Sequence, residues 1–267
     1  MTGHYFSEHP FFKCFGCYVS PEDIKRRRAG TLFISPPFGN YVHFLGTLSI
    51  KGSYTYEPRP GLFGQIVKTL RYSFKDKGWI NKIGLRNKGI DYAIDNYNSK
   101  KDIISIAILK EDEIDNFLEK IPGDMNLELN ISCPNLDKNP ISENIHKFLN
   151  EKRSWCIVKL SPLTEMSLVD KFYNDGFRQF HCSNTLPVEK GGLSGPSLIP
   201  YTCKIIRQIK EKYPDTEIIG GGGIRNYKTL ELYRSNGAVH FSISTLLFSP
   251  LKFGLFFWDF IRNNKSK

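Results

Sequence analysis

From Ile103 onward the chain alternates short apolar runs with amphipathic helical segments. Few folds other than a parallel sheet wrapped by helices accommodate such a rhythm. The runs Ile103–Leu109, Met125–Ser132, Trp155–Leu160, Phe177–Cys182, Glu217–Gly220 and Ala238–Ser244 read as strands. Between them, Glu111–Lys120, a segment capped by Ser142, Met166–Asn174, Pro200–Lys212, Tyr227–Ser235 and Pro250–Ile261 read as helices. Upstream, His9–Cys17 and Val42–Thr55 add two strands, and Ser20-Pro21-Glu22-Asp23 has the cap, first-turn proline and acid of a helix start. Glu57-Pro58-Arg59-Pro60-Gly61, Asn81–Leu85 and Asn87-Lys88-Gly89 are polar, glycine-punctuated loops, while Leu62–Lys77 fits either element type. The sum is eight strands, most followed by a helix, which predicts an α/β chain forming one (β/α)8 TIM barrel as a single domain over residues 1–267.

Composition narrows the function classes. Lys and Arg exceed Asp and Glu by 37 − 27 = 10, but much of the excess sits in Lys25–Arg28 and Arg262–Lys267. Such short basic runs are ordinary solvated surface, so no nucleic-acid partner is expected from them. The six cysteines (Cys14, Cys17, Cys133, Cys156, Cys182, Cys203) are scattered, with no secretory leader ahead of them. Reduced thiols and a cytoplasmic location are the expectation. Cys14-Phe15-Gly16-Cys17 lacks a second Cys or His pair to close a metal site, so no metal is expected. No apolar run approaches the roughly 20 residues of a membrane span.

In a barrel of this kind chemistry sits at the carboxyl ends of the strands, and polar residues collect there. Asn130-Ile131-Ser132-Cys133-Pro134-Asn135 follows one strand and brackets a thiol with two carboxamides. Each carboxamide offers a donor and an acceptor to the paired N–H and C=O groups of a planar heterocycle, and a thiolate at Cys133 can take a proton from carbon. A buried Cys beside two turn-forming Asn is the alternative reading. Lys159 interrupts the apolar strand Ile157-Val158-Lys159-Leu160 and therefore requires an anionic or electron-rich partner. Gly221-Gly222-Gly223 and Ser244-Thr245, after the seventh and eighth strands, stand where such barrels cradle phosphate.

These stretches, together with Gly16, Gly52-Ser53-Tyr54-Thr55, Ser183-Asn184-Thr185 and Gly191-Gly192-Leu193-Ser194-Gly195, resemble the dihydroorotate dehydrogenase family of FMN-dependent barrels. The resemblance implies that Cys133 is the base for the C5 proton of dihydroorotate while hydride passes from C6 to flavin N5. Asn81, Gly84, Leu85, Asn130, Asn135, Asn184 and Thr185 would then hold dihydroorotate or orotate. Gly16, Ser53, Asn130, Lys159, Asn184, Gly195, Gly222, Gly223, Ser244 and Thr245 would hold FMN. It also implies a role in pyrimidine biosynthesis and a homodimer, and leaves fumarate, a quinone or NAD through a partner subunit as electron acceptor. The cysteine resembles the soluble branch, but the lysine that branch carries in its active site falls on Gly52, and the lysine of the membrane-bound branch on Val19. Lys51, one residue away, points to the other face of its strand. Phe15 replaces a small residue next to the flavin, and Leu62-Phe63 replaces the family's Asn-Pro. Two further readings stand beside this one: a tRNA dihydrouridine synthase-like flavoenzyme, and a degenerate barrel that binds flavin without turnover.

Overall fold

A computed structural model describes residues 30–131, 143–182 and 184–264. Along the chain run β1 Leu32–Ile34, β2 Thr47–Tyr54, helix α1 Leu62–Thr69, β3 Arg71–Ser73, β4 Gly78–Asn81, α2 Gly89–Asp95, β5 Asp102–Ile106, α3 Glu113–Lys120 and β6 Leu127–Leu129. After a 3-10 turn at Ile145–Phe148 come β7 Cys156–Leu160, α4 Met166–Asn174, β8 Gln179–Cys182, β9 Leu186–Val188, β10 Gly191–Ser194, α5 Ile199–Lys212, β11 Glu217–Gly221, α6 Tyr227–Ser235, β12 His240–Ile243 and α7 Pro250–Asn264. Eight strands close in the order β1-β12-β11-β8-β7-β6-β5-β2, and every pairing is parallel. This is the (β/α)8 barrel expected.

The expected first strand, His9–Cys17, and the helix start at Ser20 lie outside the described residues. Leu32–Ile34 takes the first place in the barrel instead, pairing with both β2 and β12. Val42–Thr55 shortens to Thr47–Tyr54, because Gly46 turns the chain at φ 79° just before it. The segment expected as a helix capped by Ser142 is, where described, a 3-10 turn entered through Asn144 in the left-handed region at φ 59°. The undecided Leu62–Lys77 divides into α1 and β3. With β4, β10 and β9, β3 forms a second, antiparallel sheet in the order β3-β4-β10-β9. Asn81 ends β4 and Gly89 opens α2, so the polar loops are shorter than the sequence suggests.

Strand alternation divides the barrel wall. Outward residues such as Leu32, Ile34, Leu127, Val158, Phe180 and Phe241 meet the helices in the larger core. Phe33, Ile50, Ile103, Trp155, Ile157 and Ile219 form a separate inner cluster. The Trp155 ring stands edge-on to Phe33 at 5.2 Å and to His240 at 5.3 Å, which plugs the lower part of the tube with aromatic surface. Cys156, Cys182 and Cys203 are buried, and burial pushes the Cys182 thiol well above its ordinary range. Among the described residues no helix is long and apolar enough to cross a membrane.

Candidate active site

Two residues above the apolar plug on the same inward face, the lining turns polar. Ile157 is succeeded by Lys159, whose register partner on β8 is His181, while β6 sets Glu128 opposite Ile157 and β5 sets Ser105 opposite Glu128. Glu128 has no solvent exposure, and its Oε1 accepts from Lys159 Nζ at 3.2 Å and from Ser105 Oγ at 2.8 Å. Its Oε2 meets His181 Nδ1 at 2.6 Å. Burial works against the charged carboxylate, but the Lys159 ammonium and the donated hydrogen bonds outweigh it and hold Glu128 down to about 2. His181 is lowered, first by its own burial, so it is neutral at pH 7. A carboxylate can only accept, and the imidazole proton therefore sits on Nδ1. Lys159 thus has its anionic partner inside the protein, which the sequence reading left open.

The ion pair is continuous with the asparagines at the mouth. Asn130 Nδ2 donates to Ser53 Oγ at 2.8 Å, and Ser53 Oγ lies 2.9 Å from Ser105 Oγ. Because Ser105 spends its hydrogen on Glu128, Ser53 must donate to Ser105, and the chain has one polarity. It extends outward through Asn184, whose Nδ2 donates to Asn130 Oδ1 at 3.1 Å while its Oδ1 accepts from Thr185 N at 2.9 Å. These bonds fix the orientation of both carboxamides at the mouth, where each amide carries donor and acceptor atoms suited to the N–H and C=O groups of a ring. A buried carboxylate at one end polarises every link.

Beside this network lies a cleft lined by Lys159, His181, Asn184, Thr185, Gly195, Gly222, Gly223, Ser244 and Thr245, with Ser35, Ser194 and Ser242 adding hydroxyls. Among the described residues none of its lining side chains is acidic. Gly223 has φ 75°, and a Cβ there would come within 2.6 Å of Gly195 O; one on Gly195 would meet Gly78 Cα at 2.8 Å. The glycines therefore let three backbone segments close on each other behind the cleft. Tyr233 from α6 donates its hydroxyl to Gly222 O and fixes the turn. Ser244 gives its own hydroxyl to Pro36 O at 2.7 Å, so its side-chain hydrogen is already committed.

Gly84 and Leu85 line a separate basic pocket with Arg59, Lys82 and Arg86, beyond the end of β5. Asn87 organises this rim and was missed by sequence reasoning. Its Oδ1 accepts from Gly89 N at 2.7 Å and Thr55 N at 3.2 Å, while its Nδ2 donates to Leu85 O at 2.7 Å and Thr55 Oγ1 at 2.9 Å. Leu85 is thereby held at φ 55°. Asn81 is placed at the end of β4, paired with Gly192. Cys133, Asn135 and Gly16 lie outside the described residues, as do Phe15 and Val19. Glu128, Ser105 and His181 were also missed, although each is a polar residue at an alternate position of an otherwise apolar strand, the signal that singled out Lys159.

Gly52 and Lys51 fall as the sequence implied. Lys51 points outward and pairs with Asp102 at 2.7 Å. Gly52 has φ 121°, and a Cβ would lie 2.4 Å from Ser105 O. The position is closed to any side chain.

The parallel barrel, the glycine-walled cleft at its carboxyl face and the lysine beneath it place the chain in the class of (β/α)8 barrels that carry their ligand sites at that face. Comparison with known proteins gives the family. Residues 41–250 match the family model described as dihydroorotate dehydrogenase, and the chain belongs to that family. It is 30% identical to the catalytic subunit of dihydroorotate dehydrogenase B (NAD(+)) from Petrotoga mobilis, over 82% of this chain and 83% of that one. The subunit of the same name from Bacteroides thetaiotaomicron is 27% identical over 82% of each chain. A dihydroorotate dehydrogenase structure from Eimeria tenella, in complex with ferulenol, superposes with a TM-score of 0.60 at 19% identity, covering 76% of this chain and 72% of that one, a likeness of fold. The family consists of FMN-dependent oxidoreductases acting on CH–CH bonds. The cleft fits that cofactor on its own chemistry: no lining acid opposes a phosphate, and Lys159 and a set of hydroxyls face the space.

Proposed function

We propose that the protein oxidises dihydroorotate to orotate with FMN in pyrimidine biosynthesis. The observation that carries this reading is the hydrogen-bonded Asn130–Asn184 pair beside Lys159, at the mouth of a cleft that no acid lines among the described residues. Cys133 removes the proton from C5 of the substrate. Asn130, Asn184 and Thr185, with Asn81, Asn135, Gly84 and Leu85, hold the ring and its carboxylate in register for that transfer. Bound FMN supplies the acceptor, at N5, for the hydride that leaves C6. Lys159, Gly16, Ser53, Asn130, Asn184 and Gly195 would hold the flavin and its polyol chain, Lys159 serving the pyrimidine edge, and Gly222, Gly223, Ser244 and Thr245 would hold its phosphate. Because Ser244 Oγ is engaged by Pro36, its contribution is a backbone N–H or an accepting oxygen. We take residues 1–267 as one domain, cytoplasmic and homodimeric. The naming of its relatives as NAD(+) enzymes' catalytic subunits favours NAD(+) as acceptor, reached through a partner subunit.

The test is direct. Purified protein should take up FMN and turn yellow, and anaerobic dihydroorotate should bleach it. Cys133→Ala should keep the oxidised spectrum but slow bleaching about 10²–10⁴-fold, the usual worth of a positioned base. Bleaching at the wild-type rate in Cys133→Ala would remove the base from Cys133. A protein that binds FMN but leaves it oxidised through hours of dihydroorotate is the degenerate barrel, a reading favoured by the closed Gly52 position.

A further inference from the structure

The upper barrel lining contains one polar atom with no partner among the described residues that also borders the cofactor cleft. His181 is 1% exposed, its Nδ1 edge is held by Glu128, and its Nε2 is buried without a hydrogen bond. Leaving a buried acceptor unpaired is unfavourable, so such an atom at the edge of a cleft calls for a donor from whatever fills the cleft. His181 also lines the cleft next to Asn184 and Thr185. Its ring is not free to turn: Glu128 fixes the Nδ1 edge, and β7 and β11 flank it on either side through Lys159 and Ile219.

We propose that His181 is an additional cofactor-binding residue, whose Nε2 accepts a hydrogen bond from a hydroxyl of the polyol chain joining the flavin ring to its phosphate. The tautomer decides the ligand chemistry. With the proton on Nδ1 toward a carboxylate, Nε2 presents a lone pair and cannot serve a phosphate or a carbonyl. A hydroxyl donor is the complement, and the adjacent Lys159 ammonium, a donor only, is left to an electron-rich edge. The inference rests on FMN occupying the cleft as proposed above.

The two readings separate in one set of titrations on the apoprotein, following flavin fluorescence with FMN, riboflavin and lumiflavin, in which a methyl group replaces the polyol. His181→Phe keeps a flat ring and deletes the acceptor. It should weaken FMN and riboflavin about tenfold, the worth of one buried hydrogen bond, and leave lumiflavin unchanged. His181→Gln, which restores a carboxamide oxygen, should recover part of the loss. In parallel, the Nε2 nitrogen resonance of 15N-histidine-labelled protein, identified by its absence in His181→Gln, should move upfield on adding riboflavin and stay in place with lumiflavin. Unchanged affinity for all three compounds in His181→Phe, or an equal loss for lumiflavin, overturns the proposal. If wild-type protein binds none of them, the FMN reading itself fails, which is a different result.

Discussion

At the scale of single residues, Gly52 decides whether the missing lysine can simply be put back. Sequence logic expects Gly52→Lys to restore a cation and speed flavin reduction. The φ of 121° and the 2.4 Å approach of a Cβ to Ser105 O predict the reverse. The variant should lose about 1–3 kcal/mol of stability, and more if Ser105 is pushed off Glu128, with no gain in reduction rate. Thermal melting beside stopped-flow reduction checks both halves. Glu128 gives a pH prediction. Its carboxyl is lowered from 4.5 to about 2 in the fold, so the stability it contributes is complete above pH 4.5 and disappears as pH falls toward 2. His181, lowered from its ordinary 6.5, acts with the same sign below that value, because the unfolded chain takes up the proton first. Urea midpoints of wild type should fall from pH 7 to pH 3 more steeply than those of Glu128→Gln. At pH 7 Glu128→Gln should cost about 3–5 kcal/mol, since it leaves Lys159 buried without its counter-charge.

At the scale of elements, the strands and helices that carry several turns or five apolar residues could be read directly, and β7, α5, α6 and α7 fall within a residue or a turn of their expected bounds. What escaped were elements defined by their neighbours. Leu32–Ile34 is three residues between turn formers, too short for any period, and becomes a strand only because Thr47 and Phe241 flank Leu32 in register. The small sheet needs β4 and β10 to meet across more than a hundred residues, which no local pattern announces. The site divides likewise. Lys159, Asn130, Asn184 and the glycine turn were legible from residue type at strand ends, whereas the polarity linking Asn184 to Glu128 depends on strand register. The glycines behind the cleft carry a prediction at this scale. Gly223→Ala adds a Cβ against Gly195 O at a φ of 75°, so it should cost about 1–3 kcal/mol and weaken FMN, read by melting and fluorescence titration together.

At the scale of the whole molecule, the tube has two unlike halves, aromatic and aliphatic below, ionic and hydroxylated above. Phe33, Ile50, Ile103, Trp155, Ile157 and Ile219 make the lower half a stopper. The barrel is consequently a cul-de-sac for traffic. A molecule that reaches the polar half by way of the rim must back out by the same door, and a second reactant needing the same reactive ring waits its turn or trades electrons through the side of the vessel. For the proposed flavin reaction, reduction and reoxidation are then separate half-reactions, whether the acceptor enters by the rim or draws electrons through a partner subunit, and initial-rate plots against the two reactants should give the parallel lines of a double-displacement scheme.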